Sequence, residues 1–186
     1  MQVFWDYIGL GFKHVLPLGY DHILFIISMF LLNSKLKSSI IQCSVFTIAH
    51  SLTLALATMD YVPFDSKTVE IIIALSIFVI AFENFFQSEI KPWRMVIVFI
   101  FGLIHGLGFA SVLKFIELPE ENFIQALFGF NCGVELAQVC VIAICYFLIA
   151  KFFSHKFWYR TSLVIPLSTI IAGLGLFFAI QRFLSN

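Results

Sequence analysis

Four of the five histidines of this chain, His14, His22, His50 and His105, fall inside or at the mouth of long apolar segments. Asp21 stands beside His22, and Glu135 sits midway along another apolar run. An ionisable group at membrane depth costs roughly 2.5–3.5 kcal/mol to insert, so a chain that carries several has a use for them. Imidazoles and carboxylates together are the donor set of a divalent transition-metal ion such as nickel or zinc. The first expectation is therefore a membrane protein that handles metal.

Composition agrees with the membrane half of that expectation. Of 186 residues, 61% are hydrophobic and 12% charged, with a mean hydropathy of +1.00. Soluble domains carry about 25% charged residues. The 24 phenylalanines suit a surface in contact with lipid. Formal net charge is zero, so there is no basic face for nucleic acid. The opening MQVFWDYIGLGFKHVL lacks the basic start, uniform apolar run and small-residue cleavage site of a signal peptide, and reads as an uncleaved amphipathic lead-in. Cys43, Cys132, Cys140 and Cys145 form no CxxC pair and read as small packing residues.

A helix needs about 20 apolar residues to cross the hydrocarbon core. Six segments qualify: 21–36, 38–59, 67–86, 93–115, 122–151 and 159–183. Pro17 and Gly19 interrupt any continuous helix ahead of the first, so residues 1–16 are expected as a separate interfacial or re-entrant helix. The fold expected is a single all-α, polytopic membrane domain over residues 1–186, with six transmembrane helices and this N-terminal element. Short, charged connections leave no room for an extramembrane domain.

One set of connections holds Lys35, Lys37, Lys91, Arg94, Lys151, Lys156 and Arg160; the other set, with the termini, holds Lys13, Lys67, Lys114 and Arg182. The positive-inside rule makes the first set cytoplasmic. The chain is thus expected in a bacterial inner membrane with both termini on the outer, periplasmic side. Asp60, Asp65, Glu117, Glu120 and Glu121 give that outer side an acidic rim able to concentrate cations. Solvation of ordinary loop acids explains them equally well.

At 1.5 Å per residue, Asp21, His22, His50, Glu70, His105, Asn131 and Glu135 all fall between the outer surface and mid-depth. Thr47, His50 and Ser51 share one helical face; Asn131, Glu135 and Gln138 form a polar stripe at i, i+4 and i+7. Gly102, Gly106 and Gly108 around His105 permit close helix approach, expected to hold His105 against that stripe. Mutual hydrogen bonding, for instance a chain Asp21–His22–His50, is the metal-free alternative. Ser76 and Glu83 are candidate inner-exit groups, and Asn84 pairs with Glu83 as a second polar spot. His155 is explained by solvation in a basic loop.

Several blocks resemble the HupE/UreJ family of small bacterial membrane proteins, in its HupE/UreJ-like branch. They are H-x6-D-H (His14, Asp21, His22) with GYDHILF, FTIAHSLTLALA around His50, VEIIIALSI from Val69, FGLIHGLGFA around His105 and FNCGVELAQ around Glu135. The resemblance runs from about His14 to Gln138. It implies a nickel permease linked to hydrogenase and urease accessory functions, with His14, Asp21, His22 and His105 as the family's motif residues.

Two functions follow, beside a third reading as a structural or accessory subunit that binds a partner in the membrane, with the histidines paired among themselves. In a divalent-metal permease, Asp21 and Glu135 supply negative charge. His22, His50 and His105 ligate the ion through neutral nitrogens, and His14 meets it first. Affinity should then fall below about pH 6.5, where histidines protonate. There is no GxxxxGK[ST] motif, so movement would be facilitated, proton-coupled or driven by potential. Alternatively, three histidines and a carboxylate with an open position describe a zinc-dependent intramembrane hydrolase. His50–Ser51 and Asp21–His22 distantly resemble the ceramidase-like enzymes, without their HxxxH pair. The apolar run RMVIVFIFGLI below His105 fits a gated carrier or a dead-end pocket, and argues against an always-open pore.

Overall fold

The computed structural model describes residues 2–87, 89–115 and 122–185, with Ser111, Lys114 and Phe115 described by backbone only. Glu117, Glu120 and Glu121 of the expected acidic rim lie outside the described residues, as does the Lys114 side chain. The described chain is all-α: α1 Gln2–Val15, α2 Tyr20–Asn33, α3 Leu36–Thr58, α4 Ser66–Phe86, α5 Pro92–Phe115, α6 Phe123–Phe153 and α7 Arg160–Leu184. Each of α6 and α7 contains a π-helical turn, at Tyr146–Ala150 and Arg160–Val164, on either side of the hairpin that joins them.

Helices α3 to α7 are long and apolar enough to span a membrane; α1 and α2 make a sixth span only as a pair bent by 71°. Alone, α2 has 14 residues, about 21 Å of rise against a core of about 30 Å. The expected span at 21–36 is thus half of a broken one. The break falls where Pro17, without an amide proton, and Gly19 interrupt the helical ladder. Helix α4 starts where Asp65 accepts bonds from the Thr68 amide (2.8 Å) and hydroxyl (2.6 Å), an N-cap. Those bonds hold the Asp65 carboxyl below its ordinary range.

The closest helix pairs are α1 with α6, α3 with α5, and α4 with α7, while α2 runs up the middle against α4, α6 and α3. Phe25, Ile26, Met29, Phe30, Leu31 and Leu32 of α2 are all buried, as suits a helix apolar all round. Phenylalanines 82, 86, 128, 147, 152, 157, 177 and 183 point outward from the bundle, where lipid would meet them.

The described residues of the basic connections 34–35, 87–91 and 154–159 lie together at one end, where the Ser34 and Tyr159 hydroxyls bond at 2.6 Å. A polar layer lies just inside this basic end. Arg94, read from the sequence as a loop residue, is 0% exposed. It pairs with Glu83 and donates to Gln42 Oε1 at 2.8 Å. Asn84 donates to the Ser28 carbonyl and to Ser168 Oγ, each at 3.0 Å, and Arg160 donates to the Asn84 carbonyl at 2.9 Å. Ser76 is buried, with its hydroxyl bonded to the Ile73 carbonyl of its own helix. Glu83 is therefore no free exit group in this conformation.

A buried ion pair is worth most when one partner is removed, because the other is then left as an uncompensated charge. Arg94→Ala should cost about 3–5 kcal/mol on that ground, read as a lowered Tm in detergent. Replacing Glu83 and Arg94 together by Leu and Met should recover most of the loss.

Candidate functional site

Toward the opposite end, α1, α2, α3 and α5 bring four imidazoles together. The His22 ring lies 4.6 Å from His14, 5.2 Å from His105 and 6.0 Å from His50, centroid to centroid, and His14 and His50 are 6.0 Å apart. His22, His50 and His105 are buried. Helix geometry explains the convergence. α1 ends at the helix break just after His14, and α2 begins just before His22, so the bend brings both rings to the same place. On α3 and α5 the cause is close approach. A Cβ on Gly106 would lie 2.2 Å from both the His50 carbonyl oxygen and Thr53 Oγ1, and one on Gly102 2.6 Å from the Phe46 carbonyl. Thr53 also donates to the Leu103 carbonyl of α5 at 2.6 Å. The glycines thus press His105 against α3, not against the α6 stripe as expected; α3 stands between. Gly108 meets the Ile73 side chain.

Above the rings opens a cavity of about 660 Å³, lined by His14, His22 and His105 together with Lys13, Asp21, Glu70 and Arg182. His50 lies behind its wall. Asp21 is bound to Arg182 through Oδ2 at 2.6 Å, so the expected chain Asp21–His22–His50 does not form. Below the rings lies a floor of phenylalanines. Phe25, Phe46 and Phe101 sit one helical turn toward the basic end from His22, His50 and His105, respectively. Phe25 and Phe46 are 5.2 and 4.9 Å from the His105 ring and 5.1 Å from each other. This floor separates the histidines from the polar layer around Arg94.

Hydrogen bonding inside the cluster is sparse. His105 Nδ1 donates to the Phe101 carbonyl at 2.8 Å, which leaves Nε2 as the nitrogen that carries the lone pair. His14 Nε2, His22 Nε2, both nitrogens of His50 and His105 Nε2 are buried without a hydrogen-bond partner. Among the described residues no three or more His, Cys, Asp or Glu side chains converge their donor atoms on one point. The rings are gathered, but their nitrogens are not aimed at a common centre.

The rest of the expected donor set lies elsewhere. Glu135 accepts from Ser44 at 2.6 Å and Gln138 from Thr47 at 3.0 Å. The α6 stripe therefore faces α3, with Ser44 about 9 Å inward of His50 along the helix. Asn131 donates to the Leu127 carbonyl at 2.8 Å, and Ser51 to the Thr47 carbonyl at 2.6 Å. Both turn back on their own helices. Glu70 does line the cavity, and its carbonyl oxygen accepts from Arg182 at 2.8 Å. The four cysteines are free: Cys43 and Cys145 are buried, Cys132 is half-buried and Cys140 is exposed. Sequence reasoning missed Arg182, Ser44 and the phenylalanine floor. A signal for the floor was present, since Phe46–His50 and Phe101–His105 repeat the same F-x3-H spacing.

Against known proteins, the family model described as HupE / UreJ protein matches residues 1–182. No curated protein and no solved structure matches the chain.

If close approach at Gly106 holds the rings in place, a single methyl there must push α3 and α5 apart. Gly106→Ala should lower stability by about 1–3 kcal/mol, measured by thermal unfolding in detergent. Gly173→Ala, where a Cβ meets nothing within 4 Å, should change it little.

Proposed function

The chain belongs to the HupE/UreJ family, and from that premise we propose that it carries a divalent transition-metal ion, nickel foremost, across the bacterial inner membrane. The family is known in general for nickel and cobalt transport. The observation that carries the reading is the set of four imidazoles gathered at the cavity, three lining it and His50 behind its wall, with five ring nitrogens buried and unpartnered. A buried polar atom without a partner costs about 1–3 kcal/mol, and a metal ion offers those lone pairs what the protein does not.

In this reading His22, His50 and His105 ligate the ion, and His14 meets it first. His105 is already held as a ligand should be, because a metal-binding histidine commonly donates its other ring N–H to a carbonyl, which fixes tautomer and orientation. Imidazoles bound to one ion through metal–nitrogen bonds of about 2.0–2.1 Å have neighbouring centroids about 5 Å apart, whether the ion is square-planar, as nickel favours, or tetrahedral. The observed separations of 4.6–6.0 Å bracket that value. Ligation then requires rotation of rings and little movement of helices. Asp21 contributes charge at the mouth. Glu135, held by Ser44, is an inner station beyond the phenylalanine floor, not a ligand in the same shell.

The basic end is cytoplasmic by the positive-inside rule, so the cavity opens to the periplasm and both ends of the described chain face that side. The phenylalanine floor and the Arg94–Glu83 layer close the inner route. This arrangement is the outward-facing state of a gated carrier. A hydrolase would also have a pocket closed below, but family membership supports transport. Ser51 and Glu135 are bonded away from the rings, to the Thr47 carbonyl and to Ser44.

Nickel binding by the detergent-purified protein tests the reading directly. His22→Ala, His50→Ala and His105→Ala should each weaken binding at least tenfold, about 1.4 kcal/mol, and abolish nickel uptake into cells. Unchanged binding in all three would remove the site. Orientation has its own test: in intact cells a membrane-impermeant thiol reagent should label Val112→Cys on the cavity wall above the wild-type background. Phe25→Cys in the floor should stay unlabelled.

A further inference from the structure

A fixed arginine in a cavity meant for cations is an anomaly. Arg182, in the last turns of α7, lines the same cavity as His22 and His105. Its guanidinium donates to Asp21 Oδ2 at 2.6 Å, to the Glu70 carbonyl at 2.8 Å and to the Tyr20 hydroxyl at 3.4 Å. One side chain thereby ties α7 to α2 and α4 across the rim. Asp21 gives it one oxygen; the other, Oδ1, is buried with no partner. The carboxylate closest in sequence to the histidine cluster is thus half taken by a positive charge that the protein itself supplies.

Two cations cannot both hold that carboxylate at close range without repelling one another, and in a partly buried site the repulsion is poorly screened. We propose that Arg182 sets cargo affinity: it is a tethered cation that holds Asp21 in the empty carrier and is displaced when a divalent ion takes the carboxylate. The inference rests on the reading of the cavity as a cation site. Its consequence is an exchange in which the ion gains Asp21 while the protein gives up an ion pair, so net binding is moderated. A carrier needs such moderation, because cargo must bind well enough to enter and loosely enough to leave. Displacement also unties the rim, since the contacts of Arg182 to Glu70 and Tyr20 belong to the same guanidinium. Lys13, exposed on the cavity wall, has no such grip on Asp21.

Nickel titration of the full chain in detergent is the test, with wild type, Arg182→Gln, Asp21→Asn and the double variant. Arg182→Gln should bind nickel at least tenfold more tightly than wild type, and Arg182→Lys should stay within about threefold of it. Asp21→Asn should bind more weakly, and adding Arg182→Gln to it should change affinity less than twofold. Equal or weaker binding by a folded Arg182→Gln overturns the proposal, as does tightening that persists without Asp21. A second measurement needs no variant. Dicarbonyl modification of wild-type Arg182, followed by mass spectrometry with buried Arg94 as internal control, should quicken in saturating nickel; no change, or protection, overturns the displacement. If wild type binds nickel but Arg182→Gln does not tighten it, this inference alone falls. If wild type binds no nickel at all, the proposed function falls with it.

Discussion

Buried imidazole nitrogens without partners are the feature on which the rest of this structure turns. In hydrocarbon a polar atom has no water to fall back on, and four other buried or half-buried polar side chains of the bundle each bond a neighbour through one atom while leaving another without a partner. Glu83 has Arg94, Asn84 has Ser28 and Ser168, Gln138 has Thr47 and Glu135 has Ser44. Among the described residues the four-histidine cluster makes one such bond, from His105 to its own helix, and leaves five ring nitrogens buried without a partner. Polar groups elsewhere hold helices together. Here the helices hold polar groups in readiness.

That readiness depends on backbone proximity. Gly106 lets α5 approach the His50 carbonyl, and on the other side of the bundle Gly133 lets α6 approach the Ile8 carbonyl, with a hypothetical Cβ 2.1 Å away. The α1–α6 contact seats His14 near Phe130, at 5.5 Å between rings, while the α3–α5 contact seats His50 and His105. α2 is short enough to begin inside the protein, so His22 enters the cluster from a helix end. Three different devices therefore bring four rings to one level: two close-packed pairs and a broken span.

The layering along the bundle axis gives the carrier reading its physical sense. Water can reach the cavity, then histidines, then aromatic rings, then a paired ionic layer next to the basic end. Each boundary changes what an ion would meet, from hydration to imidazole to hydrocarbon. The ionic layer ties α3, α4 and α5 through Arg94, and Asn84 adds α2 and α7. At the rim Arg182 ties α2, α4 and α7. In the proposed carrier, the polar clasps at the two ends of the bundle would be the contacts that alternating access opens and closes in turn.

Much of this was legible from the chain alone. Hydropathy and length placed five of the six expected spans within a few residues, because insertion into hydrocarbon is decided locally by runs of apolar side chains. Pro17 and Gly19 marked the break, and the cost of buried ionisable groups singled out the histidines before any fold was known. What the chain alone did not decide was which polar groups would face which. Glu135 was expected among the histidines and belongs to Ser44; Arg94 was expected in a loop and lies buried on Glu83; Arg182 was expected in the outer margin and grips Asp21. Each pairing depends on how a helix is rotated about its axis and which neighbour it touches. Those are long-range properties, set by glycine contacts between segments distant in sequence, and only the tertiary structure contains them.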